Sequence, residues 1–138
     1  MTTSPRARPL ATPAPDATLD APGAIMLSAG EASGDLHGAT LCREIRRLAP
    51  RLSLFGMGGA QMAAAGMRVM ADPTAQAVVG TSEALGRVPA LYRTYRGLTR
   101  RLREERPRAL VLIDFPEFNM RLGRQARRAG VPVVYFIP

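Results

Sequence analysis

The chain has 138 residues, a single cysteine and a formal net charge of +8 at pH 7; that length suffices for one domain with a real core. Hydrophobic residues make up 46% and charged residues 22%, the balance of a globular chain rather than a disordered one. No apolar run reaches the ~18 residues of a membrane span, and the lone Cys42 excludes an internal disulfide and suits a reducing compartment, here read as the cytoplasm.

Residues 1–23, MTTSPRARPLATPAPDATLDAPG, lack the apolar segment of a secretory signal. They show no periodicity and too little apolar surface to offset ordering entropy, so they read as a disordered tail. The fold is expected over 24–138. Ala24–Ser28 reads as a strand, and Gly34–Ala49 as a helix with Leu41, Ile45 and Leu48 on one face and Pro50 beyond its end. Leu52–Phe55 is a second strand. The GMGG turn leads into a short helix, Ala60–Ala65, closed by Gly66 at a left-handed cap position. Met67–Met70 is a third strand. A long helical region spans Ser82–Glu105, where Pro89 is expected to restart the helix. Leu91, Tyr95, Leu98 and Leu102 share one face. Residues 109–114, ALVLID, form a fourth strand, Phe118–Ala129 a helix that ends at Gly130, and 131–137, VPVVYFI, a fifth strand.

Strands alternating with helices imply an α/β fold: a Rossmann-like, doubly wound parallel sheet covered on both faces. With the usual order 3-2-1-4-5, strands one and four flank the switch point where such sheets bind ligands. The loop after strand one, SAGEASGD, and the loop after strand four, DFPEFN, would then share one crevice. Gly30 and Gly34 let the backbone turn and approach a ligand. Ser33 can cap the following helix, whose free amides and dipole suit an anion or a sugar hydroxyl. The glycine spacing is neither a dinucleotide fingerprint nor a P-loop.

Carboxylates in such a crevice suit sugar hydroxyls or proton transfer. Asp114 ends an apolar strand, so partial burial would raise its pKa toward that of a general base; the other reading is a capping or turn aspartate. Glu117 and Asn119 either bind substrate or cap the next helix. His37 is a proton shuttle or a polar packing residue. Cys42, beside Leu41 within a helix, reads as inert packing. All nineteen basic residues are arginine. Their charge suits nucleic acid, an anionic membrane or a phosphorylated substrate. The lack of interleaved aromatics and of a recognisable reading module argues against nucleic acid.

The segments SAGEASGDLHGA (28–39), GMGGAQMAAAG (56–66), VVGTSEALGRVP (78–89), IDFPEFNMRL (113–122) and AGVPVVYFIP (129–138) together resemble the amino-terminal part of the lipid-A-disaccharide synthase family. These are inverting glycosyltransferases of the two-domain GT-B type. The resemblance implies transfer of 2,3-diacylglucosamine from UDP-2,3-diacylglucosamine to 2,3-diacylglucosamine 1-phosphate, giving a β(1→6) disaccharide and UDP with no metal or cofactor. It places Asp114 as the base, with Glu31, Ser33 and Asp35 shaping the acceptor side; Gly30, Gly34, Glu117 and Asn119 complete the candidate substrate-binding set. It also implies a cytoplasmic enzyme peripheral to the anionic inner-membrane surface, with the donor site on a second domain beyond residue 138. The 138-residue chain alone is then expected not to turn over. In this sequence Glu117 stands where the family commonly has aspartate, and Thr81, Ser82 and Ala84 make 78–89 more polar than usual. A different reading is a non-catalytic Rossmann-like module that holds a phosphorylated sugar or lipid.

Overall fold

The computed structural model describes residues 22–74 and 84–138. Residues 1–21 of the proposed tail and residues 78–83 of the 78–89 segment lie outside them, while Gly23, assigned to the tail, opens the first strand. Five strands form one sheet: Gly23–Ser28 (β1), Leu52–Met57 (β2), Arg68–Ala71 (β3), Ala109–Ile113 (β4) and Val133–Phe136 (β5). Among the described residues, four helices connect them: Ala32–Leu48 (α1), Ala60–Ala64 (α2), Ala84–Glu105 (α3) and Pro116–Arg128 (α4). The order is β3-β2-β1-β4-β5, and every pairing is parallel. Ser28, the last residue of β1, lies opposite Met57 on one side and Leu112 on the other.

Residues alternate across the sheet and build two cores. Met26, Phe55, Met57, Leu110 and Leu112 pack with Leu98 and Leu102 of α3 and with Phe118 and Leu122 of α4. On the opposite face, Leu27, Leu54, Val111 and Ile113 pack with Ala39 and Cys42 of α1 and Met62 of α2. Both faces are therefore covered, and this explains why β4 carries an unbroken apolar run.

Three local expectations are corrected. The buried face of α1 is Gly34, Asp35, Gly38, Ala39 and Cys42, while Leu41 and Ile45 only flank the core and Leu48 is 60% exposed. The cause is close approach: a Cβ on Gly38 would lie 2.6 Å from the Met62 sulfur and 3.1 Å from Ile113. The helix meets the sheet through its small residues, and its larger ones are pushed outward. Helix α3 runs unbroken through Pro89; in the second turn the missing N–H forfeits one ladder bond, and the helix continues. Helix α4 starts at Pro116 rather than Phe118, proline being well suited to the first helical position.

Candidate functional site

The parallel order brings the polar ends of β1 and β4 side by side, and the Asp114 side chain spans the gap. Its carboxylate accepts the N–H of Gly30 at 2.7 Å and of Glu31 at 3.1 Å, and the Gly34 amide also favours its charged form. These amides lie at the start of α1, where four N–H groups lack partners within the helix. Asp114 thus caps α1 from another part of the chain and sets a negative charge against its positive dipole end. Ser33, expected to cap this helix, sits exposed inside the first turn; the N-cap position is Glu31, which makes no side-chain capping bond.

Gly34 is required by this arrangement, because a Cβ there would run into the Asp114 carboxylate. Gly30 is required by its neighbour, since a Cβ would sit 2.5 Å from the Phe115 ring. Burial pushes the Asp114 carboxyl above its ordinary value, and the amides of Gly30, Glu31 and Gly34 oppose that shift. A carboxylate offers about four acceptor sites, so the bonds from Gly30 and Glu31 leave room for a substrate hydroxyl.

The backbone carrying this carboxylate is left-handed at two successive residues, with φ of 62° at Asp114 and 46° at Phe115. Non-glycine residues in that region cost on the order of 1–3 kcal/mol each and persist only when their surroundings hold them. Four contacts do so. The Asn119 amide donates to the Asp114 carbonyl at 2.6 Å and to the Ser28 carbonyl at 3.1 Å. The Ser28 hydroxyl donates to Asn119 Oδ1 at 2.6 Å. The Phe115 ring stacks on Phe118 with centroids 5.3 Å apart. Ser28 and Asn119 are both fully buried. Asn119 therefore caps nothing: α4 begins three residues before it, with Phe115 as N-cap.

Asp35 is a second carboxylate spent on amides. It is 6% exposed and accepts from Gly59 at 2.8 Å, Gln61 at 3.0 Å and Met62 at 3.0 Å. It anchors the turn after β2 to the first turn of α1. Glu31 is exposed. A cavity of about 250 Å3 is lined by Ser33, Gly34, His37 and Asp114 together with Tyr135 and Phe136. Glu117 is exposed and lines a separate cavity of about 340 Å3 with Tyr92, Tyr95, Phe115, Phe118 and Arg121. The structure thus gathers Gly30, Glu31, Ser33, Gly34 and Asp114 around one loop junction, and places Asp35 beneath it and Glu117 beside it. Cys42 is fully buried, and burial pushes its thiol up to about 11, in keeping with inert packing. Among the described residues, no group of three or more His, Cys, Asp or Glu could hold a metal ion, and no helix is long and apolar enough to cross a membrane. Sequence reasoning missed Ser28, whose one signal is a hydroxyl ending an apolar strand, where burial demands a partner.

Residues 25–138 match the family model described as Lipid-A-disaccharide synthetase. A lipid-A-disaccharide synthase of Geobacter metallireducens is 48% identical over 113 residues, covering 82% of this chain and 29% of that protein. The synthase of Syntrophotalea carbinolica is 50% identical over 117 residues, covering 84% and 30%. That of Geobacter sulfurreducens is 50% identical over 113 residues, covering 82% and 29%. The chain thus spans under a third of the length of these curated relatives. Among solved structures, the C-terminal domain of a Pyrococcus furiosus hydrogenase superposes with a TM-score of 0.58 at 13% identity, over 94% of this chain and all of that one. That likeness concerns the fold alone.

Proposed function

The chain belongs to the lipid-A-disaccharide synthetase family, and from that premise we propose that residues 24–138 form the acceptor-side domain of an inverting GT-B glycosyltransferase of lipid A biosynthesis. The donor is UDP-2,3-diacylglucosamine and the acceptor 2,3-diacylglucosamine 1-phosphate. Asp114 takes the proton of the acceptor's 6-hydroxyl. The hydroxyl oxygen bonds to the donor's anomeric carbon as the bond to UDP breaks on the opposite face, which yields the β(1→6) disaccharide and UDP. Gly30, Glu31, Ser33 and Gly34 shape the acceptor side. Asp35 supports that loop from below, while Asn119 holds the turn that carries the base. Glu117 faces the aromatic cavity next to it. The reaction takes place in the cytoplasm against the anionic inner-membrane surface.

One observation carries this reading: a carboxyl raised by burial stands at the carboxyl end of a central strand, beside the β1 loop, with an acceptor site to spare. Proton transfer by such a group typically contributes ~10²–10⁴-fold in rate. The test is a chimera in which residues 24–138 replace the matching segment of the Geobacter sulfurreducens relative. Disaccharide and UDP should form in equal amounts from the two sugars. A folded chimera that forms neither overturns the reading. The trans-capping role of Asp114 lends some support to a module that binds a phosphorylated sugar or lipid without turnover. That module would retain the acceptor yet release no UDP.

A further inference from the structure

We propose that Ser28 and Asn119 are positioning residues, a buried hydrogen-bonded pair that holds the left-handed Asp114–Phe115 turn and so fixes where the Asp114 carboxylate lies. The inference concerns Asp114 and, as regards catalysis, rests on the reading of that residue as the base. Its grounds are geometric. Two successive non-glycine residues with positive φ revert to ordinary backbone unless something opposes them. The Asp114 carbonyl is held by Asn119 at 2.6 Å. Asn119 in turn is fixed by the end of β1, through the Ser28 carbonyl at 3.1 Å and the Ser28 hydroxyl at 2.6 Å.

The pair also settles the orientation of the amide group. The Ser28 hydroxyl gives Asn119 Oδ1 its donor, so both hydrogens of Nδ2 go to carbonyls, one on β1 and one on the strained turn. Without the hydroxyl, a fully buried Oδ1 loses its partner and the amide loses one of the three bonds that fix its plane. Its hold on the Asp114 carbonyl weakens accordingly. The turn then relaxes and carries the carboxylate away from Gly30 and Glu31. No substrate contact is needed for this role, and full burial of both side chains excludes one in this conformation.

The experiment reads the carboxylate through the amides it accepts. In the 138-residue chain, the amide protons of Gly30 and Glu31 should follow the acid titration of Asp114 by nuclear magnetic resonance. In Ser28→Ala the pH-dependent shift of both amides should fall by at least half. The amides of Gly59, Gln61 and Met62, which are held by Asp35, should keep their wild-type shifts and so show that the fold is intact. An undiminished response at Gly30 and Glu31 overturns the proposal. If Ser28→Ala does not fold, Ser28→Cys, which fills nearly the same space but donates weakly, is read by the same criterion. In the chimera, Ser28→Ala should lower kcat at least tenfold and leave the donor KM unchanged. Loss confined to KM overturns a positioning role. An unsubstituted chimera without activity counts against the proposed reaction, while the amide titration still decides the positioning.

Discussion

Asp35 offers a graded test of how the first turn of α1 is built. Its Oδ1 accepts from both Gly59 and Met62, while Oδ2 accepts only from Gln61. Asp35→Ala leaves three amides without their acceptor; the bonds to Gly59 and Met62 are buried, and that to Gln61 lies nearer to solvent. A buried donor left unpaired costs about 1–3 kcal/mol. Two of them, plus a smaller loss at Gln61, come to about 3–5 kcal/mol. Asp35→Asn keeps a carbonyl oxygen where Oδ1 stands and turns an NH2 toward Gln61, so it forfeits one bond and the charge, about 1–2 kcal/mol. Urea unfolding followed by circular dichroism measures both if the slopes agree. The midpoint of Asp35→Asn should fall between wild type and Asp35→Ala. If the domain sits at the lower end of the typical range of about 5–15 kcal/mol, the alanine variant should be close to unfolding at room temperature. A loss below about 1 kcal/mol in Asp35→Ala, or equal losses in the two variants, would show that the carboxylate does not hold the turn.

Three other outcomes follow from the same geometry. Asp114→Asn in the chimera should lower kcat by ~10²–10⁴-fold with little change in acceptor KM, and should also lower the thermal midpoint, because an amide cannot accept from Gly30 and Glu31 through both of its heavy atoms; a kcat near wild type removes the base assignment. Gly34→Ala forces a methyl group onto the Asp114 carboxylate and should cost about 1–3 kcal/mol, as overpacking does, read by the same urea titration; a neutral variant would mean that the contact is loose. The Cys42 thiol is held up to about 11 from 9.0, so folding retains a proton that the unfolded chain releases. The associated stability is complete below pH 9 and disappears as pH rises through 11, about 2–3 kcal/mol in all. Cys42→Ala should lack that part of the alkaline loss, and an identical pH profile would count against it.

The fold was largely readable because it rests on local signals. The apolar runs at Ala24–Ser28 and 109–113, the turn glycines and the α3 stripe of Leu98 and Leu102 each report their environment within a few residues. Asp114 was also legible, since a carboxylate closing an apolar strand at a switch point is unusual on composition alone. Its actual partners were not. Its bonds to Gly30 and Glu31 join residues 84 and 83 positions apart, and the Ser28–Asn119 pair joins residues 91 apart. No periodicity encodes such a pairing. The buried face of α1 was misread for the opposite reason: hydrophobic patterning follows large side chains, whereas this helix approaches the sheet through Gly34, Gly38 and Ala39. Helix starts were missed where the cap comes from elsewhere, as at Ala32, or where proline rather than a capping side chain sets the first turn, as at Pro116.

The interlock between Gly34 and Asp114 makes the order of genetic change matter. The space that a side chain at 34 would need is taken by a carboxylate from another strand, so intolerance at 34 is a property of the pair. A lineage that first lost the acid at 114 could then replace the glycine freely, whereas one that altered the glycine first would meet a barrier at once. The two routes are not reversible in the same steps, because restoring the acid opposite an already enlarged residue reintroduces the collision. A saturation library at position 34 built in an Asp114→Gly background should therefore admit side chains that the same library rejects in the parent.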